Sequence, residues 1–252
     1  MGNEKSFNEN VLNYDRYRPT YGNDIFKDII EYSNISSRSN IIEIGCGTGK
    51  ATKPFLDINA KLVAIEIGDN LANFVKEKYK DYKNLKVENI KFEDYKTNHK
   101  VDLIFSATAF HWIPEEYAYN RCKELLVDNG VLAIFWNTPK ISKENINLYN
   151  EIESIYNNYL PNKTKETYEE RCNGIQYMLK EYGYKDIQLK LYKNKRIFDA
   201  NSYIGLLQTY SDHMALSSEI RNELLNKIHN IILKYGKITI EDTIDLHIAR
   251  KI

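Results

Sequence analysis

Between residues 22 and 136, short runs that are apolar at nearly every position alternate with longer stretches whose apolar residues recur at helical spacing. Ile25, Phe26, Ile29 and Ile30 share one face of a helix that Asn23 can cap, and Ile41, Ile42 and Ile44 follow as a short strand ending at a glycine cluster. The spacing predicts a helix from near Thr48 to about Ile58, a strand over Leu62–Ile65, and a helix capped by Asp69 with Leu71, Phe74, Val75 and Tyr79 on one face. A third strand near Leu85–Val87, a fourth at Val101–Phe105, a helix opened by Pro114 and a fifth strand at Gly130–Trp136 continue the alternation. Strands that are apolar on both sides are buried on both faces. This predicts an α/β fold with a mostly parallel sheet between layers of helices.

After Asn137 the texture changes. Residues 142–160 read as a tyrosine-rich helix (Ile146, Tyr149, Ile152, Tyr156, Tyr159) stopped by Pro161, and a second helical stretch over 166–182 ends at Gly183. A strand-like run, Ile187–Phe198, precedes helices near 201–211 and 217–235, the latter with Ser217 as cap and Gly236 as stop. Thr239–Ile252 alternates as a closing strand. The chain therefore reads as one domain: a lead-in over 1–21, a core over 22–137, helical insertions at 138–183 and 199–236, and a final strand pair at 184–198 and 237–252. Insertions late in such a fold, near the carboxyl ends of the strands, are where a substrate cover is expected.

Charge narrows the partners. The 35 Lys and Arg balance the 35 Asp and Glu and are interspersed with them, which argues against a dedicated nucleic-acid binder and favours a small-molecule substrate. No apolar run approaches the roughly 18 residues of a membrane span, and Met1–Asn10 lacks the apolar core of a signal peptide, so a cytoplasmic protein without a membrane partner is expected, as monomer or homodimer. Met1–Ser6 fits the short myristoylation pattern, a match that arises commonly by chance. The widely spaced Cys46, Cys122 and Cys172 support neither a disulfide framework nor a zinc knuckle, and the histidines show no ligand spacing, so no metal is expected.

The central signal is Ile42-Glu43-Ile44-Gly45-Cys46-Gly47-Thr48-Gly49-Lys50, a strand running into glycines and then a helix. A phosphate loop ending in Gly49-Lys50 would need glycine at 44 and Ser or Thr at 51, where the chain has Ile44 and Ala51. The dinucleotide fingerprint would need glycine at 50, which is Lys50. Glu66 ends the second strand and lies 21 residues after Gly45, where a carboxylate can meet a ribose diol.

These residues, with Ser106-Ala107-Thr108-Ala109-Phe110-His111-Trp112 after the fourth strand, resemble the class I S-adenosylmethionine-dependent methyltransferases, closest to the small-molecule branch that includes trans-aconitate methyltransferase. The resemblance spans about residues 10–137. It implies a Rossmann-like, seven-stranded sheet with an antiparallel last strand and a helical lid, and S-adenosylmethionine as cofactor with S-adenosylhomocysteine as product. It further implies that Gly45, Gly47 and Gly49 approach the methionine part, that Glu66 accepts the ribose hydroxyls, and that Ile67 and Phe92-Glu93 surround the adenine. Ser106 and Ala107 would line the sulfonium. Tyr14, Arg18 and Tyr21 resemble the lead-in that folds over the cofactor, Arg18 pairing with its carboxylate. Lys91, before Phe92, departs from the small or acidic residue often found there.

A sulfonium methyl is already activated, so transfer needs above all an in-line nucleophile and exclusion of water. A carboxylate acceptor arrives ionised, whereas a hydroxyl needs a base. His111 is the candidate to orient or deprotonate the acceptor, Trp112 to wall the pocket, and His213 is a lesser pocket candidate. The expected activity is methyl transfer to a small molecule at oxygen, a carboxylate or a hydroxyl. An NAD-dependent oxidoreductase and a non-catalytic S-adenosylmethionine-binding protein stay open as alternatives at this point. Base methylation of nucleic acid is disfavoured by the missing Asn/Asp-Pro-Pro-Tyr-type motif after the fourth strand.

Overall fold

The computed structural model describes residues 11–160 and 167–252; the Met1–Ser6 pattern and the expected helix stop at Pro161 lie outside the described residues. In chain order come α1 (Val11–Tyr17), α2 (Asn23–Ser33), β1 (Asn40–Ile44), α3 (Lys53–Asp57), β2 (Lys61–Ile65), α4 (Asp69–Lys78) and β3 (Leu85–Glu88). Then follow β4 (Val101–Ala107), α5 (Glu115–Leu125), β5 (Leu126–Ile141), α6 (Ile146–Tyr159), α7 (Tyr168–Glu181), β6 (Tyr184–Phe198), α8 (Ala200–Leu207), α9 (Ser211–Met214), α10 (Ser218–Tyr235) and β7 (Ile238–Lys251). The strands form one seven-stranded sheet in the order β3-β2-β1-β4-β5-β7-β6. Its last strand is antiparallel, giving the Rossmann-like arrangement that the sequence led one to expect.

The parallel half has the register that continuous apolar strands require. Ile42 stands opposite Val63 of β2 and Ile104 of β4, and Phe105 opposite Ala133 of β5. Alternate residues feed opposite cores. Ile41, Leu62, Leu103 and Phe105 pack with Ile25, Ile29 and Phe55 on one face. Ile42, Ile65, Ile104 and Ile134 pack with Ala118, Cys122 and Leu125 on the other. Each such side chain contributes about 2 kcal/mol on burial, so neither face tolerates a polar residue without a partner.

Some local expectations are corrected. Gly22 and Gly68 occupy the caps expected of Asn23 and Asp69, which instead begin α2 and α4, with no side-chain cap bond at either end. The residues after the glycine cluster turn before α3 begins at Lys53, with Pro54 in its first turn, where proline's missing N–H costs nothing. The fifth strand starts at Leu126 rather than Gly130, because Val101 pairs with Leu126 and Leu103 with Val131, leaving residues between them in a bulge that contains Asn129 at φ 59°.

The chain divides into two compact units. A sheet unit holds residues 20–136, 168–192 and 244–252. A helical unit holds residues 137–167, 193–243 and the described residues up to Pro19. The helical stretch expected within a single insertion over 138–183 is thereby split. Helix α7 belongs to the sheet unit because Leu179 is buried in the second core and Ile175 and Met178 pack against it.

In the helical unit, α6, α8 and α10 share a core of Leu148, Ile152, Tyr156, Leu206, Leu207, Leu224, Ile228 and Ile232. Tyr156 of the tyrosine stripe is therefore packing. Caps hold the helix starts: Asn145 accepts from the Leu148 N–H, Asp199 from Ser202 and Ser217 from Ile220. Buried Asp242 is gripped by Arg196 and by Asn137 Nδ2 at 2.7 Å.

Candidate functional site

The glycine cluster leaves β1 with its backbone pinned to β2. Gly45 and Cys46 both donate to the Ile65 carbonyl, at 2.9 and 3.2 Å. Gly45 and Gly49 sit at φ +68° and +75°, and a Cβ on them would lie 2.4 Å from Ala109 Cβ and 2.6 Å from the Tyr79 ring. These two glycines are thus demanded by left-handed backbone and close packing within the protein itself. The Tyr79 hydroxyl also donates to the Gly49 carbonyl at 2.8 Å, fixing the turn against α4. Thr48 Oγ1 is buried here with no hydrogen-bond partner among the described residues.

Glu66, at the end of β2, is 5% exposed, and its oxygens accept from the Gly47 and Gly68 N–H groups, each at 2.8 Å. Burial raises its pKa and the backbone N–H groups pull it down, with burial prevailing. A carboxylate has about four acceptor positions, so two bonded N–H groups leave each oxygen able to receive a hydroxyl. The sequence places this carboxylate by strand length alone: β2 ends at Ile65, and parallel pairing with β1 brings Glu66 beside the glycine turn.

Glu43 lies beneath this turn, 1% exposed, and accepts from Thr52 Oγ1 at 2.6 Å. Burial pushes its carboxyl up to about 8, against the Thr52 bond that lowers it and with nearby Glu66 raising it further. A folded pKa raised above the unfolded value means stability that is full below about pH 4.5 and lost as pH rises to about 8. Glu43→Gln cannot ionise. Its unfolding midpoint relative to the parent chain should therefore rise steadily between pH 5 and 8 and level off above, and a constant difference over that window would refute the buried neutral carboxyl.

At the end of β4, Ser106 is fully buried and its hydroxyl donates to the Ile44 carbonyl at 2.9 Å, tying β4 to β1 beside the glycine turn. Thr108 is β-branched yet sits at φ 57°, a strained backbone held by its N–H to the Phe135 carbonyl at 2.8 Å and its hydroxyl to Tyr21 at 3.0 Å. The Tyr21 ring packs edge-on to Phe135. In the sequence Thr108 is only a member of the stretch after the fourth strand, with no role of its own, and only the fold shows what Tyr21 holds.

A one-turn helix, Phe110–Trp112, carries an exposed His111 beside half-buried Trp112. Trp136, 7% exposed on β5, donates its indole N–H to His111 Nδ1 at 3.0 Å. Desolvation first, and the Arg171 charge second, hold the His111 pKa below its ordinary value.

Behind Trp136 lies a buried polar cluster. Arg171 of α7 stands 5.9 Å above its ring, and His247 of β7 meets it edge-on at 6.1 Å. Ligand-type atoms of Cys172, Asp245 and His247 lie within 4.8 Å of one another. Asp245 is fully buried, with Oδ1 taken by Arg171 at 2.8 Å and Oδ2 by His247 Nε2 at 3.2 Å. We read this group as an ion-paired buttress for Trp136, because Arg171 already supplies the cation that Asp245 needs. No local spacing could have announced it.

Other expected residues fall elsewhere. Phe92 is 4% exposed, sits in the second core and meets Tyr117 edge-on, so the expected adenine face is core packing; Glu93 and Ile67 are half-buried. Tyr14 and Arg18 belong to the helical unit, where Arg18 donates through Nε to Thr209 Oγ1 at 2.9 Å and stacks on Tyr210 at 4.6 Å. His213, the lesser pocket candidate, is buried in α9, bonded through Nδ1 to Asp212 at 2.8 Å and through Nε2 to Tyr156 at 3.3 Å. Among the described residues, no helix is long and apolar enough to cross a membrane.

Residues 42–132 match the family described as a methyltransferase domain. The chain is 31% identical over 137 residues to an uncharacterised methyltransferase-like protein of Schizosaccharomyces pombe, covering 53% of this chain and 52% of that one. It is 29% identical over 132 residues to a malonyl-[acyl-carrier protein] O-methyltransferase of Acetivibrio thermocellus, covering 50% and 46%. The matched stretch thus spans about half the length of these curated relatives. Its fold resembles that of Haemonchus contortus phosphoethanolamine N-methyltransferase 2, solved with S-adenosyl-L-methionine, with a TM-score of 0.59 at 13% identity over 100% of this chain and 60% of that one.

Proposed function

We propose that this chain, which carries a class I methyltransferase domain, transfers the methyl group of S-adenosylmethionine to a small molecule at oxygen. The observation that carries the reading is the glycine turn closed by a buried carboxylate. Glu66 is held by two backbone N–H groups and keeps acceptor capacity for a vicinal diol. The turn around it also holds an orphaned buried hydroxyl, Thr48 Oγ1, which a bound cofactor would satisfy. Oxygen as the atom methylated is favoured by the relative named a malonyl-[acyl-carrier protein] O-methyltransferase.

The cofactor supplies an electrophilic methyl on a sulfonium. Glu66 would orient the ribose, Gly45, Gly47 and Gly49 would bring backbone alongside the methionine part, and Ile67 with Glu93 would border the adenine. Phe92 would support that border from the core. Ser106 and Ala107 would line the reacting centre through the backbone, since the Ser106 hydroxyl is already committed to Ile44. His111 and Trp112 would hold the acceptor and keep water away, so that positioning rather than proton chemistry supplies the rate. Tyr21 would act through Thr108, fixing the turn that precedes His111. A cofactor contact by Tyr14 and Arg18 remains part of the proposal, Arg18 having to share its guanidinium with Thr209.

Calorimetric titration with S-adenosylmethionine, S-adenosylhomocysteine and NAD tests the cofactor directly. Micromolar binding of both adenosyl ligands with none of NAD is expected. Binding of NAD alone would overturn the reading in favour of a dehydrogenase. Adenosyl binding without methyl transfer to any member of a panel of small acids and alcohols would favour a non-catalytic binding protein.

A further inference from the structure

We propose that Trp136 is a positioning residue that fixes His111 as a hydrogen-bond donor through Nε2, so that His111 orients the methyl acceptor and takes no proton from it. The inference rests on the proposed methyl transfer for its consequence, and on geometry alone for the state of the ring. An indole N–H can only donate. The bond of 3.0 Å from Trp136 Nε1 therefore requires a lone pair on His111 Nδ1, and a neutral imidazole then carries its proton on Nε2. A general base working through Nε2 would need the opposite tautomer, which sets the Nδ1 proton against the Trp136 N–H.

Rotation of the indole away from this bond is opposed by burial and by two packed neighbours. Trp136 is 7% exposed, Arg171 lies over its ring, and His247 meets it edge-on. Arg171 and His247 are themselves locked to the two oxygens of Asp245. The buried cluster thus has a job: it immobilises the residue that sets the tautomer. His111 is exposed as a residue, and with Nδ1 taken by Trp136 the nitrogen left for a ligand is Nε2, an N–H.

The consequence for the reaction is a balance without a proton. An acceptor oxygen that is already anionic forms the new O–C bond with its own lone pair, the C–S pair returns to sulfur, and the hydrogen bond from His111 Nε2 aligns that oxygen. An alcohol, whose proton must leave, finds no base in His111.

Nitrogen-15 NMR of protein labelled at histidine reads the ring directly, with His111→Gln to assign its signals and separate them from those of buried His247. The expected pattern at pH 7 is a protonated Nε2 and a bare Nδ1. In Trp136→Phe it should average towards a mixture of tautomers. An Nδ1-protonated ring in the parent chain, or an unchanged ring in Trp136→Phe, overturns the proposal whether or not the protein methylates anything.

Turnover gives the second readout. His111→Gln, which offers an N–H near the Nε2 position, should keep kcat within about threefold, whereas His111→Ala loses about tenfold, the value of one hydrogen bond to a charged group. Trp136→Phe should lower kcat several-fold with KM nearly unchanged. The groups packed around His111 and Trp136 are Arg171 and Asp245, an ion pair, and His247. With these in place, kcat should fall through the imidazole range by no more than it does in Trp136→Phe, because a protonated His111 still donates from Nε2 while its new Nδ1 proton displaces the Trp136 bond. An acid limb of unit slope, lost in both His111 variants with equal loss of kcat, would identify a general base and overturn the proposal. Failure of the adenosyl titration would instead sink the methyl-transfer reading and leave the NMR result standing.

Discussion

Glu66→Ala should weaken S-adenosylmethionine binding about a hundredfold, measured by titration calorimetry against the parent chain. The carboxylate is 5% exposed and prealigned by the Gly47 and Gly68 N–H groups, so a ribose diol meets an acceptor that needs no reordering. Two hydrogen bonds to a buried charged group together stabilise the complex by about 3 kcal/mol, roughly two decades in affinity. The substitution also leaves the Gly47 and Gly68 donors without their partner, so part of the loss is a loosened turn. Glu66→Gln separates the two contributions, since it keeps one acceptor oxygen and should lose about tenfold. Binding by Glu66→Ala within threefold of the parent would mean that the glycine turn does not hold a ribose.

Arg171→Met should lower folding stability by about 3 kcal/mol, roughly 9 °C in Tm for a chain of this length. The reason is what the substitution strands. Asp245 is fully buried, and without Arg171 the hydrogen-bond partner left to it among the described residues is His247 at 3.2 Å. An uncompensated buried carboxylate is costly, while replacing both partners with apolar groups of similar size removes the penalty. The pair Arg171→Met with Asp245→Leu should therefore recover at least half of the loss. A single variant that melts within 1 °C of the parent would show that the ion pair is not what holds α7 and β7 together. Because Arg171 also lies over Trp136, the same variant should loosen the His111 ring, linking the stability experiment to the tautomer measurement.

Local sequence determined the alternation of strands and helices from 22 to 136, because burial on both faces forces continuous apolar strands and surface helices force a stripe. It also determined the glycine turn and the place of Glu66, since a tight turn after one strand and an acid after its neighbour are short-range features that parallel pairing brings together. Phe92 shows where such reading stops. A phenylalanine after a strand looks the same whether it faces a ligand or the core, and only its neighbours put it in the core. Likewise the helical stretch over 166–182 announced a helix but not its partner, and packing gave α7 to the sheet unit rather than to the helical insertions.

Around His111 the sequence marked the histidine and Trp112 in the stretch after the fourth strand, and none of the residues behind them. The histidine's partner Trp136 lies 25 residues on, and the ion pair behind it joins Arg171 to Asp245 across 74 residues. Hydrophobic periodicity reports which side of an element is buried, and it carries no information about which distant side chain lies opposite. The proton on His111 is set by that opposite side chain, and so is decided by tertiary structure alone.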